Sequence, residues 1–316
     1  YGKDPALASA PLVGGMLEPG APWFCTTCGA CVAECPALIR PLDTFVDLRR
    51  HGVMTSGDLP KSIGDALRNL ERQGNPWGMA PEDRAGRARE LGLRTLAPGD
   101  ETDVLYYMGC AAAFDERTGR SARAFVELAR AAGIDLAVLA DETCCGEQAR
   151  RLGHEYMFQE MARQNIDNLG AVRYRRIVTQ CPHCYNTMKH EYAQLGTHLE
   201  VMHYSEFLTS IRDRLPSAAR ARQAGGDRVT YHDSCYLGRY NGLYADPRAV
   251  LDRAGVERVE LPKHGADSFC CGGGGGQMWM ETNPNTRINH RRLEQALKTN
   301  ASTVATACPY CLLMFE

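Results

Sequence analysis

The sequence predicts an α/β protein in which a small helical, cysteine-bearing domain precedes two copies of one α/β unit with a parallel sheet. Three observations lead to this prediction: four closely spaced cysteines near the start, ten further cysteines in two sets of similar spacing, and apolar runs that alternate with helical patterns. The predicted segments are a linker or truncated N-terminal region at 1–22, the helical domain at 23–98, and α/β units at 99–225 and 226–316, the last with a truncated C-terminus.

Composition limits the class of protein. The 316 residues are 44% apolar and 23% charged, and the formal net charge of −2 gives no sign of a nucleic-acid surface. No apolar stretch approaches the roughly 18 residues that a membrane-spanning helix needs. Fourteen cysteines without a secretion signal indicate metal binding, because a reducing cytosol would not maintain disulfides. No nucleophile and base pair, paired carboxylates or nucleotide loop indicates hydrolysis, phosphoryl transfer or NAD binding.

The first cysteines form the pattern C-x2-C-x2-C-x3-C-P, made by Cys25, Cys28, Cys31 and Cys35. Bacterial ferredoxins hold iron–sulfur clusters with this spacing. Zinc is the weaker interpretation, since zinc sites favour two separated C-x-x-C pairs. In two-cluster ferredoxins the fourth cysteine ligates the other cluster, so Cys35 either closes a lone cluster or belongs partly with a missing upstream motif. Apolar residues at helical spacing within 43–50 and 67–72 predict helices packed around this cluster.

The other ten cysteines form a repeat. Between the groups of the first set lie 33 and then 35 residues, and between those of the second set lie 34 and then 36. The flanking segments also match, since 104–110 parallels 229–235 and 177–184 parallels 304–311. Such agreement predicts a duplication with a period of about 125 residues. The first set comprises Cys110, Cys144, Cys145, Cys181 and Cys184, and the second comprises Cys235, Cys270, Cys271, Cys308 and Cys311.

Each cysteine group is expected at the end of a strand. In the first copy, β-rich runs at 104–107, 134–139 and 177–179 precede the three groups, and a helical pattern at 120–130 lies between the first two runs. This alternation indicates a parallel sheet, whose ligand sites collect at the carboxyl ends of the strands. The five sulfurs of a copy can therefore meet in one crevice, and five thiolates exceed the four ligands of a zinc ion or a simple cubane cluster.

With these motifs, the chain resembles the CCG-domain iron–sulfur proteins from about residue 20 to its end. That family includes the B and D subunits of heterodisulfide reductase, in which such a five-cysteine set holds a noncubane [4Fe-4S] cluster. The resemblance implies a ferredoxin-type [4Fe-4S] cluster at 23–98 and a noncubane cluster in each CCG domain, with all fourteen cysteines as metal ligands. It also implies that tight glycine backbone lies beside the clusters as cofactor-binding residues, namely Gly146, Gly272, Gly273 and Gly274.

Four sequence phrases narrow the resemblance: PWFCTTCGAC from residue 22, GNPWG from 74, TQCPHCYN from 179 and YHDSCYLGRYNG from 231. They are similar to the soluble part of bacterial membrane-anchored oxidoreductases that carry electrons from electron-transfer flavoprotein to menaquinone. The resemblance implies an oxidoreductase component that relays electrons from a flavoprotein donor to a membrane quinone-reactive domain or subunit. It also implies a position at the cytoplasmic, inner face of the cell membrane.

Two other interpretations use the same cysteines. In one, the chain is the catalytic subunit of a disulfide reductase, where an open noncubane cluster binds both sulfurs of a heterodisulfide. In the other, zinc fills the sites and the chain is a structural scaffold. The fused ferredoxin motif favours the electron relay. We expect His183 and His232 to pack or to hydrogen-bond near the clusters rather than to ligate metal, and His203 to be buried and satisfied.

Overall fold

The computed structural model describes residues 9–37, 39–216, 228–280 and 287–315, so parts of all four predicted segments lie outside it. The strands are β1 Arg94–Leu96, β2 Glu101–Tyr107, β3 Leu136–Leu139, β4 Arg173–Thr179, β5 Val201–His203, β6 Arg228–His232, β7 Glu257–Glu260 and β8 Thr303–Thr306. The α-helices are α1 Ala30–Ala33, α2 Pro41–His51, α3 Lys61–Gln73, α4 Pro81–Glu90, α5 Gly109–Phe114, α6 Glu116–Ala131, α7 Glu147–Arg151, α8 Glu155–Gly170, α9 Pro182–Asn186, α10 Tyr204–Ser210, α11 Ala245–Ala254, α12 Ile288–Leu297 and α13 Pro309–Met314.

The strands form two parallel sheets, which confirms the predicted fold class. The first has the order β1-β3-β2-β4-β5 and the second the order β7-β6-β8. Within them, β3-β2-β4 and β7-β6-β8 are the same three-stranded arrangement, in which the first strand in the chain lies in the centre. In both sheets the cysteine groups follow the carboxyl ends of these three strands, as the repeat predicts.

The first sheet is covered on both faces, which is typical of parallel sheets. Because side chains alternate along a strand, Leu105 and Tyr107 of β2 belong to one hydrophobic core while Val104 and Tyr106 belong to the other. The core that contains Leu105 also contains all five cysteines of the first set and three from the second set. The two copies therefore share a core at their cysteine sites.

Helices precede the sheets, as the apolar spacing predicts. The α3 helix buries Ile63, Leu67 and Leu70 along one face and ends at Gly74, whose φ of 64° closes the helix. Strand β1 lies within the predicted helical segment 23–98, yet it pairs with β3 of the first sheet. The boundary at residue 99 remains a prediction. In the part of the chain that the structure describes, no helix has the length and apolar character needed to span a bilayer.

Candidate metal centres

The first cysteine set forms one buried cluster of thiols. Each thiol lies in hydrogen-bonding contact with the next in the order Cys110, Cys144, Cys145, Cys184, Cys181. All five are at most 6% exposed, and the contact with Cys144, together with burial, raises the pKa of the Cys110 thiol well above its usual value. Crowded thiols away from water can all ionise only when cations join them, which is the chemistry of a metal–thiolate site.

The second set is arranged in the same way. Its contacts run in the order Cys270, Cys271, Cys311, Cys308. Cys235 interacts electrostatically with the pair and with Cys308, and burial raises its pKa well above its usual value. Four of the five are buried and Cys270 is half-buried. The structure thus brings together both five-cysteine sets that the sequence groups.

The glycines after the second pair fold back onto its sulfurs. Gly272 has a φ of 88°, and its N–H donates to Cys270 Sγ over 3.2 Å. The N–H of Gly273 contacts the Cys271 sulfur. Backbone N–H groups aimed at sulfur favour negative charge there, and a left-handed residue at this place needs glycine.

The first pair is followed by the same turn with fewer glycines. Gly146 has a φ of 85° and directs its N–H at Cys144, while the N–H of Glu147 contacts Cys145. A Cβ on Gly146 would lie 2.9 Å from a ring carbon of Phe158, so close packing also requires glycine here. One glycine is therefore sufficient for this turn, and the longer run in the second copy has a further cause.

The additional glycines admit the backbone of the N-terminal cysteine loop. A Cβ on Gly274 would lie 2.3 Å from the carbonyl oxygen of Thr26, and one on Gly275 would lie 2.4 Å from that of Cys25. A Cβ on Gly273 would lie 2.8 Å from Met314 Cγ. The structure therefore places Gly274 against protein backbone, and its expected part in cofactor binding remains a prediction.

The ferredoxin-type run lies nearer the surface. Cys31 is exposed, whereas Cys25, Cys28 and Cys35 are half-buried. Cys25 interacts electrostatically with Cys28 and Cys31, while burial raises its pKa. The sulfur of Cys35 accepts a hydrogen bond from the N–H of Ile39 over 3.3 Å. Whether Cys35 closes this cluster or serves another stays open.

The three cysteine groups form a continuous array. Cys28 of the N-terminal run contacts Cys270 of the second set, and this contact together with burial raises the pKa of Cys28. His183, the third residue of the first copy's CPHC motif, contacts the sulfur of Cys308 in the second set. The order in space is therefore the N-terminal run, then the second set, then the first set.

The third residue of each C-P-x-C motif lies close to cysteines of the other copy. His183 of the first motif reaches the second set, and Tyr310 of the second motif interacts electrostatically with thiols of the first set. The two rings meet edge to face with centroids 5.0 Å apart. His183 is held by Glu147, whose Oε1 lies 2.9 Å from Nδ1, and by stacking on Tyr236 at 4.1 Å. The sequence predicts His183 near a cluster, but not its position between the copies.

His232 fits the expected hydrogen-bonding role. Its ligand atoms and those of Cys271 and Cys311 lie within 4.8 Å of one another. However, its Nδ1 accepts a hydrogen bond from Arg292 Nε over 3.0 Å, and burial lowers its pKa to about 3. The neutral ring then carries its proton on Nε2, which can donate to sulfur.

Three buried arginines near these sites are not predicted by the cysteine motifs. Arg49, Arg84 and Arg292 are each at most 7% exposed. Each lies on the buried face of its helix, and two of them precede a buried alanine by four residues. Arginine at a core-facing helical position is the signal that could have found them.

Both five-cysteine sets suit an iron–sulfur cluster. They offer more thiols than a zinc ion accepts, and backbone N–H groups point at the sulfurs. In the second set, the hydroxyl of Ser234, beside Cys235, is buried and has no hydrogen-bond partner among the described residues. A buried donor without a partner is costly, and an inorganic sulfide would satisfy it.

His203 joins the backbone segments that lead into both C-P-x-C motifs. Its Nε2 lies 3.2 Å from the carbonyl oxygen of Gln180 and 3.1 Å from that of Ala307, the residues before Cys181 and Cys308. It is fully buried, as expected, and burial lowers its pKa to about 3. The neutral imidazole is therefore a structural link between the copies.

This link predicts that acid destabilises the protein. An unfolded histidine has a pKa of about 6.5, so the unfolded state binds more protons below that pH. The contribution of His203 is complete above about pH 6.5 and is lost as the pH falls toward 3, by up to about 1.4 kcal/mol per pH unit. Unfolding measured from pH 7.5 to 5.5 should show a shallower slope in His203→Gln. Equal slopes in the variant and the parent protein would contradict the prediction.

Comparisons with known proteins agree with the geometry. A profile of the cysteine-rich domain family CCG matches residues 104–189 and 229–316, one range in each copy. The EtfAB:quinone oxidoreductase of Syntrophomonas wolfei is 40% identical over 305 residues, which cover 92% of this chain and 42% of that protein. The probable iron-sulfur-binding oxidoreductase FadF of Bacillus subtilis is 38% identical over 312 residues, 96% of this chain and 44% of that protein.

A third relative matches over more of its own length. The D subunit of the dihydromethanophenazine:CoB--CoM heterodisulfide reductase of Methanosarcina barkeri is 30% identical over 302 residues, 91% of this chain and 70% of that subunit. All three are named as oxidoreductases or reductase subunits. The chain spans less than half the length of the first two.

Proposed function

Because the chain belongs to the family of cysteine-rich CCG iron–sulfur proteins, we propose that it is the electron-transfer part of a larger oxidoreductase. In this proposal it relays electrons from a flavoprotein of the electron-transfer flavoprotein type to a quinone-reactive membrane domain or subunit. It would work at the cytoplasmic face of the cell membrane. The names of two similar proteins, an EtfAB:quinone oxidoreductase and an iron-sulfur-binding oxidoreductase, support this assignment.

The observation that carries the proposal is the continuous array of cysteine groups. Cys28 contacts Cys270, and His183, which precedes Cys184 of the first set, contacts Cys308, so each group adjoins the next. All five cysteines of the first set are buried, which suits a relay better than a site that must admit a substrate. Groups that adjoin one another keep each transfer step short.

Each of the three cysteine groups is assigned one cluster. We assign one ferredoxin-type [4Fe-4S] cluster to the N-terminal run, with Cys35 either completing it or shared with an upstream motif. We assign one noncubane [4Fe-4S] cluster to each five-cysteine set. When bound, these clusters supply one-electron redox chemistry. The protein supplies their thiolates, the N–H groups of Gly146, Gly272 and Gly273, and the exclusion of water.

Stopped-flow mixing tests the proposal. Anaerobically purified protein should lose its cluster absorbance when it is mixed with a reduced flavoprotein of this type, whereas the oxidised flavoprotein should have no effect. We expect a menaquinone analogue to reoxidise the clusters only when the quinone-reactive membrane part is present. A thiol heterodisulfide, offered as the alternative acceptor, should not be turned over.

The opposite outcome would identify the second candidate function. Half-buried Cys270 and the similarity to the D subunit of heterodisulfide reductase are the observations that favour a disulfide reductase. Turnover of the heterodisulfide with no response to the flavoprotein would replace the relay by that activity. Colourless protein with stoichiometric zinc would rule out both the relay and the disulfide reductase.

A further inference from the structure

A buried arginine lies beside each five-cysteine set. In the first set, Arg84 donates from Nη2 to Cys110 Sγ over 3.4 Å and forms a buried ion pair with Glu142. In the second set, Arg292 interacts electrostatically with Cys271 and with two neighbouring thiols of the set. Each site therefore has one fixed cation within reach of its sulfurs.

The acceptors of the two arginines occupy equivalent positions in the repeat. Glu142 lies two residues before the first cysteine pair, and Ser268 lies two residues before the second. Glu142 binds Arg84, while the Ser268 hydroxyl accepts from Arg292 Nη2 over 3.2 Å. This position of the repeat therefore contacts an arginine in both copies, through a carboxyl group in the first and a hydroxyl in the second, although Arg84 precedes the first copy and Arg292 lies within the second.

The first arginine is neutralised. All the hydrogen bonds described for the Glu142 carboxyl group come from donors: Arg84 and the backbone N–H groups of Met108 and Gly109, the latter two at 2.9 Å. Burial raises the pKa of Glu142, whereas Arg84 and these two N–H groups lower it, and a carboxyl group that only accepts hydrogen bonds is the carboxylate. Burial alone would lower the pKa of Arg84, but the adjacent Glu142 raises it above its usual value. The pair brings no net charge to the first site.

The second arginine is not neutralised by its contacts. Among the described residues, its hydrogen-bond acceptors are all uncharged: His232 Nδ1, Ser268 Oγ, the carbonyl oxygen of Lys263 and Gln295 Oε1. Asp233, a carboxylate that acts on Arg292 electrostatically, is itself held by two hydrogen bonds from Arg248, at 2.7 and 2.8 Å. A guanidinium keeps its charge in proteins, so Arg292 is a buried cation without a carboxylate of its own.

Other charges near the sites do not cancel this difference. Glu147, which lies between the two sets, is hydrogen-bonded to His183 and forms an ion pair with Arg151 at 3.6 Å. Arg239 donates to the carbonyl oxygens of Cys28 and Ser268, which places a further cation on the side of the second set. The second site is therefore the more positive of the two.

We propose that the uncancelled charge of Arg292 gives the second CCG site a higher reduction potential than the first, so that an electron shared by these two sites rests at the second. This inference rests on the proposed occupancy of both sites by iron–sulfur clusters. Reduction adds one negative charge, which a buried cation stabilises and an adjacent carboxylate opposes. Glu142 and Arg292 are thus positioning residues that set the order of the potentials.

An EPR-monitored redox titration of the cluster-loaded protein at pH 8 tests the order. Signals are assigned with Cys145→Ser for the first site and Cys271→Ser for the second. We expect the second site to have the higher midpoint potential. Glu142→Gln, which removes the carboxylate charge, should favour reduction of the first site by about tenfold or more, which is about 59 mV for one electron. It should leave the second midpoint in place.

Two further variants complete the test. Arg292→Gln should lower the midpoint of the second site, and it covers the case in which Glu142→Gln does not fold. The control is Glu160→Gln, which makes the same charge change on the exposed face of α8, where that side chain is 54% exposed, and should move neither midpoint.

The outcomes separate this inference from the proposed function. The inference is overturned if both signals are present but the first site has the higher potential. It is also overturned if the folded charge variants leave the midpoints of their own sites unchanged. Loss of both signals from the parent protein, with zinc in place of iron, would instead overturn the proposed function together with this inference.

Discussion

Replacement of Cys271 by serine is expected to remove about one third of the iron and acid-labile sulfide from the anaerobically purified protein, one cluster of three. Cys271 contacts both Cys270 and Cys311, so it lies in the middle of the second set. A serine hydroxyl is a poor substitute for a thiolate that binds iron. The EPR signal of the ferredoxin-type cluster should remain, because its cysteines belong to a different segment.

The control for this experiment is the equivalent residue of the other copy. Cys145→Ser should remove a similar share of iron but abolish a different EPR signal, since Cys145 contacts Cys144 and Cys184 in the first set. If both variants kept every signal unchanged, the grouping of the cysteines into two sets would be wrong. If both lost the same signal, the sets would not be independent sites.

Arg49→Met should cause a large loss of stability. The Arg49 side chain is 1% exposed, and its guanidinium donates to four carbonyl oxygens. These belong to Pro22 at 2.8 Å, Cys25 at 2.6 Å, Arg151 at 3.0 Å and Gly275 at 2.9 Å. Methionine would fill part of the space but leave buried acceptors without donors. The free energy of unfolding should fall by on the order of 3 kcal/mol.

The melting temperature of the cluster-loaded variant should fall by about 6 °C or more, and its ferredoxin-type signal should decay faster than that of the parent protein. The control is Arg68→Met, which breaks an exposed pair with Asp65 and should cost less than about 1 kcal/mol. Equal melting temperatures for the Arg49 variant and the parent protein would show that the four carbonyl contacts do not stabilise the N-terminal cysteine loop.

The sequence is informative where the structure depends on neighbours along the chain. The end of a strand and the cysteine group that follows it are local, so the parallel sheets and the two sets of sulfurs could be predicted from spacing. The amphipathic α3 helix was predictable for the same reason. These elements need no knowledge of which distant segments meet.

The contacts between segments could not be predicted in this way. The glycine run after Cys271 predicts a tight turn, but nothing in it shows that Gly274 and Gly275 receive the backbone of Thr26 and Cys25. Arg239 follows Cys235 closely, and its position in the sequence favours a surface loop, yet it donates to the carbonyl oxygen of Cys28. Such approaches join residues more than 200 positions apart, and periodicity carries no information about them.

The contacts of His183 and Tyr310 with the opposite copy have a consequence for the evolution of the protein. After a gene duplication, the two halves of a protein are usually free to diverge, because each half supplies the surroundings of its own site. Here a substitution at either residue changes the surroundings of the opposite half's sulfurs. Selection on one half therefore acts partly through residues of the other half, and we expect the two halves to evolve together.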